Sequence, residues 1–246
     1  MPSSRSILVG FAILATAIGA YALARETSAF AVRHVDVSGA PPDVAAQVRR
    51  SLAPLLGTSL VGLDGARLER TVEALPTVVS ASYDRAFPHT LRIAVVPERA
   101  VAVVRRGRDA WLVSARARLI RRLPRTAVPA LPRIWLPAAT QLSAGAFLEP
   151  GRGGEVAHAL AFADRFPERI DSARRSAVGL VFHLRSGLEL RLGDPGDMRL
   201  KLAVARRAIR QLPSGATYLD VALPGRPVAG SDAAAATGNA QLSTGG

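Results

Sequence analysis

The chain has 246 residues, almost half of them hydrophobic, which is enough for one large domain or two small ones with cores and excludes a chain disordered throughout. Cysteine is absent, which excludes disulfide frameworks, thiolate zinc sites and cysteine nucleophiles together, so packing must hold whatever fold lies outside a membrane. The formal net charge of +13 is almost entirely arginine, Lys201 being the only lysine, and it points to nucleic acid, anionic lipid or acidic polymer only where it clusters.

From Ile7 to Ala24 there is no charged residue. At 1.5 Å per residue this run is about 27 Å long, close to a bilayer's hydrocarbon thickness. It predicts a transmembrane helix over 7–24, with residues 1–6 as a short cytoplasmic end behind Arg5 and residues 25–31 as a linker. Ala22-Leu23-Ala24 also reads as a small-x-small cleavage site, the mark of a signal peptide, but the apolar run is longer than a usual signal core. Either reading exports the rest of the chain.

Val32, Val35 and Val37 alternate with polar residues as a strand, stopped by Gly39 and Pro41-Pro42. Asp43 is placed to start a helix whose Val44, Val48, Leu52 and Leu55 form one stripe ended by Gly57. Asp64 is placed to cap a second helix carrying Leu68, Val72 and Leu75 and stopped by Pro76. Val78–Tyr83 and Leu91–Val96 are β-rich runs around a turn with Pro88. Residues 32–100 thus spell a β-α-α-β-β domain.

From Val101 short strands alternate with arginine and proline, predicting a β-rich second domain over 101–229 with flanking helices. Strands are expected at Val101–Val104 and Ala110–Val113, followed by a proline-broken stretch from Leu123 to Pro137. A helix follows over Glu155–Phe166, then a hairpin in which Leu180–Arg185 and Leu188–Leu192 flank Ser186-Gly187. Asp197 is placed to cap a helix whose Met198, Leu202, Ala205, Ile209 and Leu212 form an apolar stripe, with Lys201 and the arginines on other faces. Pro213 ends it, Tyr218–Leu223 reads as the last strand, and composition predicts a disordered tail over 230–246.

The densest basic cluster is Arg105, Arg106, Arg108, Arg116, Arg118, Arg121, Arg122 and Arg125, with Trp111 its only aromatic. Bases have little to stack on there, so it reads as a solvated or lipid-facing surface and no nucleic-acid partner is expected. His34, His89, His158 and His183 lack the spacing of a metal pair. The Gly193–Asp197 turn lacks the Lys-Ser/Thr of a phosphate loop and the ligand series of a calcium loop, and reads as a turn with a helix cap. No serine sits in a nucleophile elbow and no carboxylate pair is marked out, so neither enzyme activity, a small-molecule substrate nor a cofactor is expected. Recognition through the backbone of an exposed sheet edge remains.

Val35-Asp36-Val37-Ser38-Gly39, Gly57-Thr58-Ser59-Leu60, Leu75-Pro76-Thr77-Val78, Arg85-Ala86-Phe87-Pro88-His89-Thr90-Leu91 and Val95-Val96-Pro97-Glu98-Arg99 stand in an order and at a spacing that resemble the POTRA domain of FtsQ/DivIB cell-division proteins. Leu131-Pro132-Arg133-Ile134, Leu192-Gly193-Asp194, Lys201-Leu202 and Leu219-Asp220-Val221 before Pro224 and Pro227 resemble the family's β domain, so the likeness spans residues 7–228. Ala100 stands where a proline is usual, and Ser114 with Ala117 replaces the aspartate and glycine of a family turn, which leaves the fold of 114–129 open. The resemblance implies an α+β, non-enzymatic, single-pass protein of the cell (inner) membrane, at the division septum. Its partners would be FtsB/DivIC-like and FtsL-like proteins, and it would help control septal peptidoglycan synthesis. It also implies that the last strand pairs with a partner segment through Tyr218, Leu219, Asp220, Val221, Ala222 and Leu223, with Arg226 and Val228 just beyond. On that placement a proline at Ala222 breaks the pairing edge. The competing class is a POTRA-bearing envelope-assembly or secretion factor, which usually carries repeated POTRA units and a barrel; only one unit is readable here.

Overall fold

The computed structural model of the protein describes residues 4–26, 28–124 and 129–231. The chain divides into two units, Met1–Glu98 and Arg99–Gly246. Arg125 and residues 1–3 of the expected cytoplasmic end lie outside the described residues; of the tail expected over 230–246, Gly230 ends a strand and residues 232–246 lie outside them.

Helix α1 runs over Ser4–Glu26, longer at both ends than the apolar run, and passes through Ala22–Ala24 without a break. Leu8, Val9, Phe11, Ile13, Leu14, Ile18 and Tyr21 along it are all exposed. Among the described residues, no helix is long and apolar enough to cross a membrane.

The remainder of the first unit is β1 (His34–Ser38), α2 (Pro42–Leu52), α3 (Gly65–Glu73), β2 (Val78–Ala86) and β3 (Thr90–Pro97). The sheet order is β1-β3-β2, with β1 parallel and β2 antiparallel to β3. β3 is therefore central, and its Leu91, Ile93 and Val95 are buried alternately against Val44, Val48 and Leu52 of α2 and Leu68 and Val72 of α3. The stripe expected from Val44 to Leu55 breaks at Leu52, because Pro54 lacks a backbone donor and the chain continues as a 3-10 turn over Ala53–Leu55. Asp43 makes no cap bond, since Pro42 already opens α2. Asp64 does cap α3, accepting the Arg67 amide at 3.1 Å.

The second unit is one nine-stranded sheet, in order β12-β11-β10-β9-β8-β7-β4-β5-β6. Its strands are β4 (Ala100–Arg106), β5 (Asp109–Ser114), β6 (Leu119–Arg122), β7 (Arg133–Trp135), β8 (Ile170–Ser176), β9 (Gly179–Leu184), β10 (Glu189–Gly193), β11 (Tyr218–Asp220) and β12 (Val228–Gly230). Helices α4 (Gly154–Ala161) and α5 (Met198–Ile209) share the main core, where Leu160, Met198 and Leu202 join Phe182, Leu190 and Leu192. Val103, Leu112 and Ile120 point to the other face and form a smaller cluster with Leu123. α4 is shorter than expected, giving way to turns at Phe162.

The Ser114–Ala117 turn shows how serine and alanine serve where an aspartate and a glycine were expected. Ser114 Oγ accepts the amides of Arg116 and Arg118, both at 3.2 Å, which is what an aspartate carboxylate does at such a turn. Ala117 takes φ 62°, the left-handed conformation that glycine adopts without cost. The chain can therefore return as β6 against β5.

Candidate interaction surface

An open sheet edge offers unpaired amides and carbonyls, so the strand ends of both sheets are the places to look for a partner site. β6 closes one end of the large sheet. The loop over 145–147 already bonds it, through Gly145 N–H to Leu119 O at 2.7 Å and Leu119 N–H to Ala146 O at 2.8 Å. Of its other residues Ile120 is buried, and Arg121 and Arg122 are exposed charges that discourage strand addition. In the first unit the β2 edge is partly occupied, because Glu73 Oε1 takes the Ala81 amide at 3.2 Å.

The other end of the large sheet differs from the sequence expectation. Tyr218, Leu219 and Asp220 are not an open edge: β10 pairs with them in parallel on one side, and β12 covers them antiparallel on the other. The terminal strand is β12, with Val228 opposite Asp220, Ala229 opposite Leu219 and Gly230 opposite Tyr218. Leu219 and Val221 are core residues. Val221 N–H bonds Arg191 O at 2.9 Å, and Ala222 N–H goes to the Asp220 carboxylate at 2.8 Å. A proline at Ala222 therefore removes a local turn bond and leaves the outer ladder untouched. Of the eight expected contact residues, Leu223 (70% exposed), Arg226 and Val228 (54% exposed) present open side chains at this end. Ala229 and Gly230 belong to the edge and carried no strand signal, being small residues after Pro227.

Polar chemistry holds this strip in place from behind. On the sheet face, Arg191 lies 4.1 Å over the Tyr218 ring while its Nε donates to Glu189 Oε1 at 2.8 Å. That hydrogen bond holds the Glu189 carboxyl below its usual range, against the opposing effect of burial. Arg174 reaches the same carboxylate at 3.6 Å and gives its Nε–H to His183.

At the end of β10, Lys201 is buried in α5 and its Nζ donates to both Asp194 O and Asp194 Oδ1 at 2.8 Å. Lys201, expected off the apolar stripe with the arginines, is thus buried beside it. The pairing also moves the turn's polar role from Asp197 to Asp194: Asp197 stands at the helix start with φ 51° and makes no side-chain cap bond, whereas Asp194 also accepts the Gly196 amide. The Asp194 carboxyl is held low by the Lys201 hydrogen bond first and by the Gly196 amide second.

The arginine cluster is not one free basic surface. Arg106 and Arg122 both pair with Asp109, whose carboxyl they hold low, Arg106 foremost. Arg118 is buried, donates to Gly145 O and faces the Phe147 ring, and Arg105 stacks over Trp135. Among the described residues, no group of three or more His, Asp or Glu is arranged to hold a metal ion.

No curated protein matches the chain. Residues 30–98, the β1–β3 unit with the short turn that precedes it, match the family model described as the POTRA domain, FtsQ-type. Residues 30–98 are thus an FtsQ-type POTRA domain, which supports the resemblance to the FtsQ/DivIB proteins.

Proposed function

We propose that this protein is a non-enzymatic, bitopic membrane scaffold of the bacterial divisome, joining FtsB/DivIC-like and FtsL-like partners and helping control septal peptidoglycan synthesis through contacts alone. The observation that carries the reading is an FtsQ-type POTRA domain followed by a sheet whose last described strand is open. In this reading residues 7–24 of α1 lie in the cell (inner) membrane with the amino terminus cytoplasmic. Large apolar side chains exposed on α1, such as Leu8, Phe11 and Ile13, favour lipid as their cover. The POTRA domain and the β domain then lie outside the cytoplasm, at the septum.

A partner segment adds as a strand beside Val228–Gly230, with Leu223, Val228 and Arg226 giving selectivity. The Tyr218–Val221 strip contributes by holding β12 rather than by meeting the partner directly. Depletion of the protein should leave filaments without completed septa, rescued by a fluorescent fusion that collects at midcell. Fusions with proline at Val228, Ala229 or Gly230 in turn test the edge: backbone donors alternate in direction along a strand, so at least one ring falls on the outer side. That variant should reach midcell but fail to rescue. Normal division in depleted cells, with defective outer-membrane protein assembly instead, would sink the division reading in favour of an envelope-assembly factor.

A further inference from the structure

The first unit has an apolar tip at the end where the chain leaves α1. Three segments meet there and are bonded to one another. Residues 31–33 run between the loop over 57–59 and the β2–β3 turn. On one side Gly57 N–H bonds Val32 O at 2.9 Å, Val32 N–H bonds Thr58 O at 2.8 Å, and Ala31 bridges Ser59. On the other, Arg33 N–H bonds His89 O at 2.9 Å, and His89 Nδ1 lies 3.1 Å from Ala31 O. Phe30 meets Phe87 edge to face, ring centroids 5.5 Å apart.

What this junction turns outward is mainly apolar and basic, with Thr58 the exposed polar residue of the 57–59 loop. Phe87 is 56% exposed and Leu56 51%; Pro88 is exposed next to Phe87, and so is Arg33. The acidic residue on the hairpin, Asp84, lies back from the turn opposite Arg92, behind the closing pair Ala86–Thr90. Phe30 follows Glu26, the last residue of α1, by four positions, so at about 3.5 Å per residue at most about 14 Å separates them. The headgroup region adds roughly 5–8 Å on each side of the hydrocarbon. A helix seated over 7–24 therefore holds this tip permanently within reach of the headgroup layer.

We propose that Phe87, Pro88, Leu56 and Arg33 form a membrane-interface anchor, lying in the extracytoplasmic headgroup layer beside α1 and fixing how the POTRA domain stands on the bilayer. Aromatic and aliphatic side chains enter the boundary of the acyl chains while Arg33 meets lipid phosphate. The inference rests on the reading of α1 as a membrane helix. A diffusing protein partner fits the surface less well, because the bilayer is tethered to it by four residues of chain.

The test uses the full chain carrying Trp111→Phe and Trp135→Phe, reconstituted in phosphatidylethanolamine–phosphatidylglycerol vesicles whose acyl chains are brominated at either a shallow or a deep position. Phe87→Trp and Leu56→Trp are added singly, and Ile13→Trp reports α1. The expected result is at least twofold quenching of both tip variants by shallow bromine, weaker quenching by deep bromine, and strong quenching of Ile13→Trp. Unquenched tip variants beside a quenched Ile13→Trp overturn the anchor and leave the membrane helix standing. An unquenched Ile13→Trp overturns both. Tip emission that changes only when a division partner is added puts a protein at this surface and also overturns the anchor.

Discussion

Replacing Lys201 by methionine and Asp194 by alanine should have unequal effects, because the two ends of their ion pair differ so much in burial, with side chains 3% and 78% exposed. Lys201→Met loses two hydrogen bonds to a charged donor, about 1.5–3 kcal/mol each. It also removes an ammonium whose burial costs several kcal/mol, keeps the length of the stem and leaves Asp194 free to hydrate, so the net change should stay within about 1 kcal/mol. Lys201→Ala further strips three methylenes from the core at about 0.8 kcal/mol each and leaves a cavity, for a loss of about 2–4 kcal/mol. Asp194→Ala strands the buried ammonium on a single backbone carbonyl and should cost more than Lys201→Met, while the double variant should return to the level of Lys201→Met.

Urea unfolding of the full chain in detergent, followed by the fluorescence of Trp111 and Trp135 in the second unit, measures all four. A Lys201→Met protein as unstable as Asp194→Ala would refute the reasoning. The pH profile gives a second check. The Asp194 carboxyl titrates lower in the folded state than unfolded, so its contribution is complete above the ordinary carboxylate value and is lost as pH falls through the lower folded value. The gap between wild type and Asp194→Ala should be flat from about pH 5 to 8 and close only in acid.

The same urea measurement checks two backbone predictions. Ser114→Ala leaves the amides of Arg116 and Arg118 without their acceptor at a fully buried position and should cost about 1–3 kcal/mol. Ala117→Gly should be neutral to within about 1 kcal/mol: relief of about 1–2 kcal/mol of left-handed strain is offset by the lost burial of a methyl group and a more flexible unfolded chain. Gly179 has φ 99°, and a Cβ there would stand 2.2 Å from Gly193 O across the β9–β10 pair; Gly179→Ala should cost more than about 3 kcal/mol by combining strain with a backbone clash.

The POTRA elements were legible because each buries one periodic face: Val44, Val48 and Leu52, then Leu68 and Val72, then Leu91, Ile93 and Val95. The β9–β10 hairpin was legible for a different reason, a Ser-Gly turn between two apolar runs, with Gly187 at φ 93°. β6, β8 and β12 were not. β8 has two buried residues, Ile170 and Ala173, among polar ones, and β6 and β12 are short pieces whose existence depends on ladders to β5 and β11. Long-range pairing leaves no local trace, and that moved the predicted edge by one strand. The burial of Lys201 was hidden similarly: its position in α5 adjoins the apolar stripe, but only the fold brings Asp194 to its ammonium.

A three-residue edge constrains how a partner can be held. Val228–Gly230 offers on the order of three outward backbone groups, and hydrogen bonds worth about 1 kcal/mol net each give about 3 kcal/mol. Micromolar binding needs about 8 kcal/mol, so the ladder alone is insufficient. Leu223 and Val228 lie beside the edge with most of their surface open, and burying each contributes about 1.5–3 kcal/mol. Strand addition at β12 would then fix register and direction, while the apolar neighbours supply most of the affinity and Arg226 favours an acidic segment over a basic one. The opposite end of the sheet, with Arg121 and Arg122 exposed and the loop over 145–147 bonded along it, has neither property. Such an asymmetry would let one sheet recruit a strand at one end without aggregating through the other.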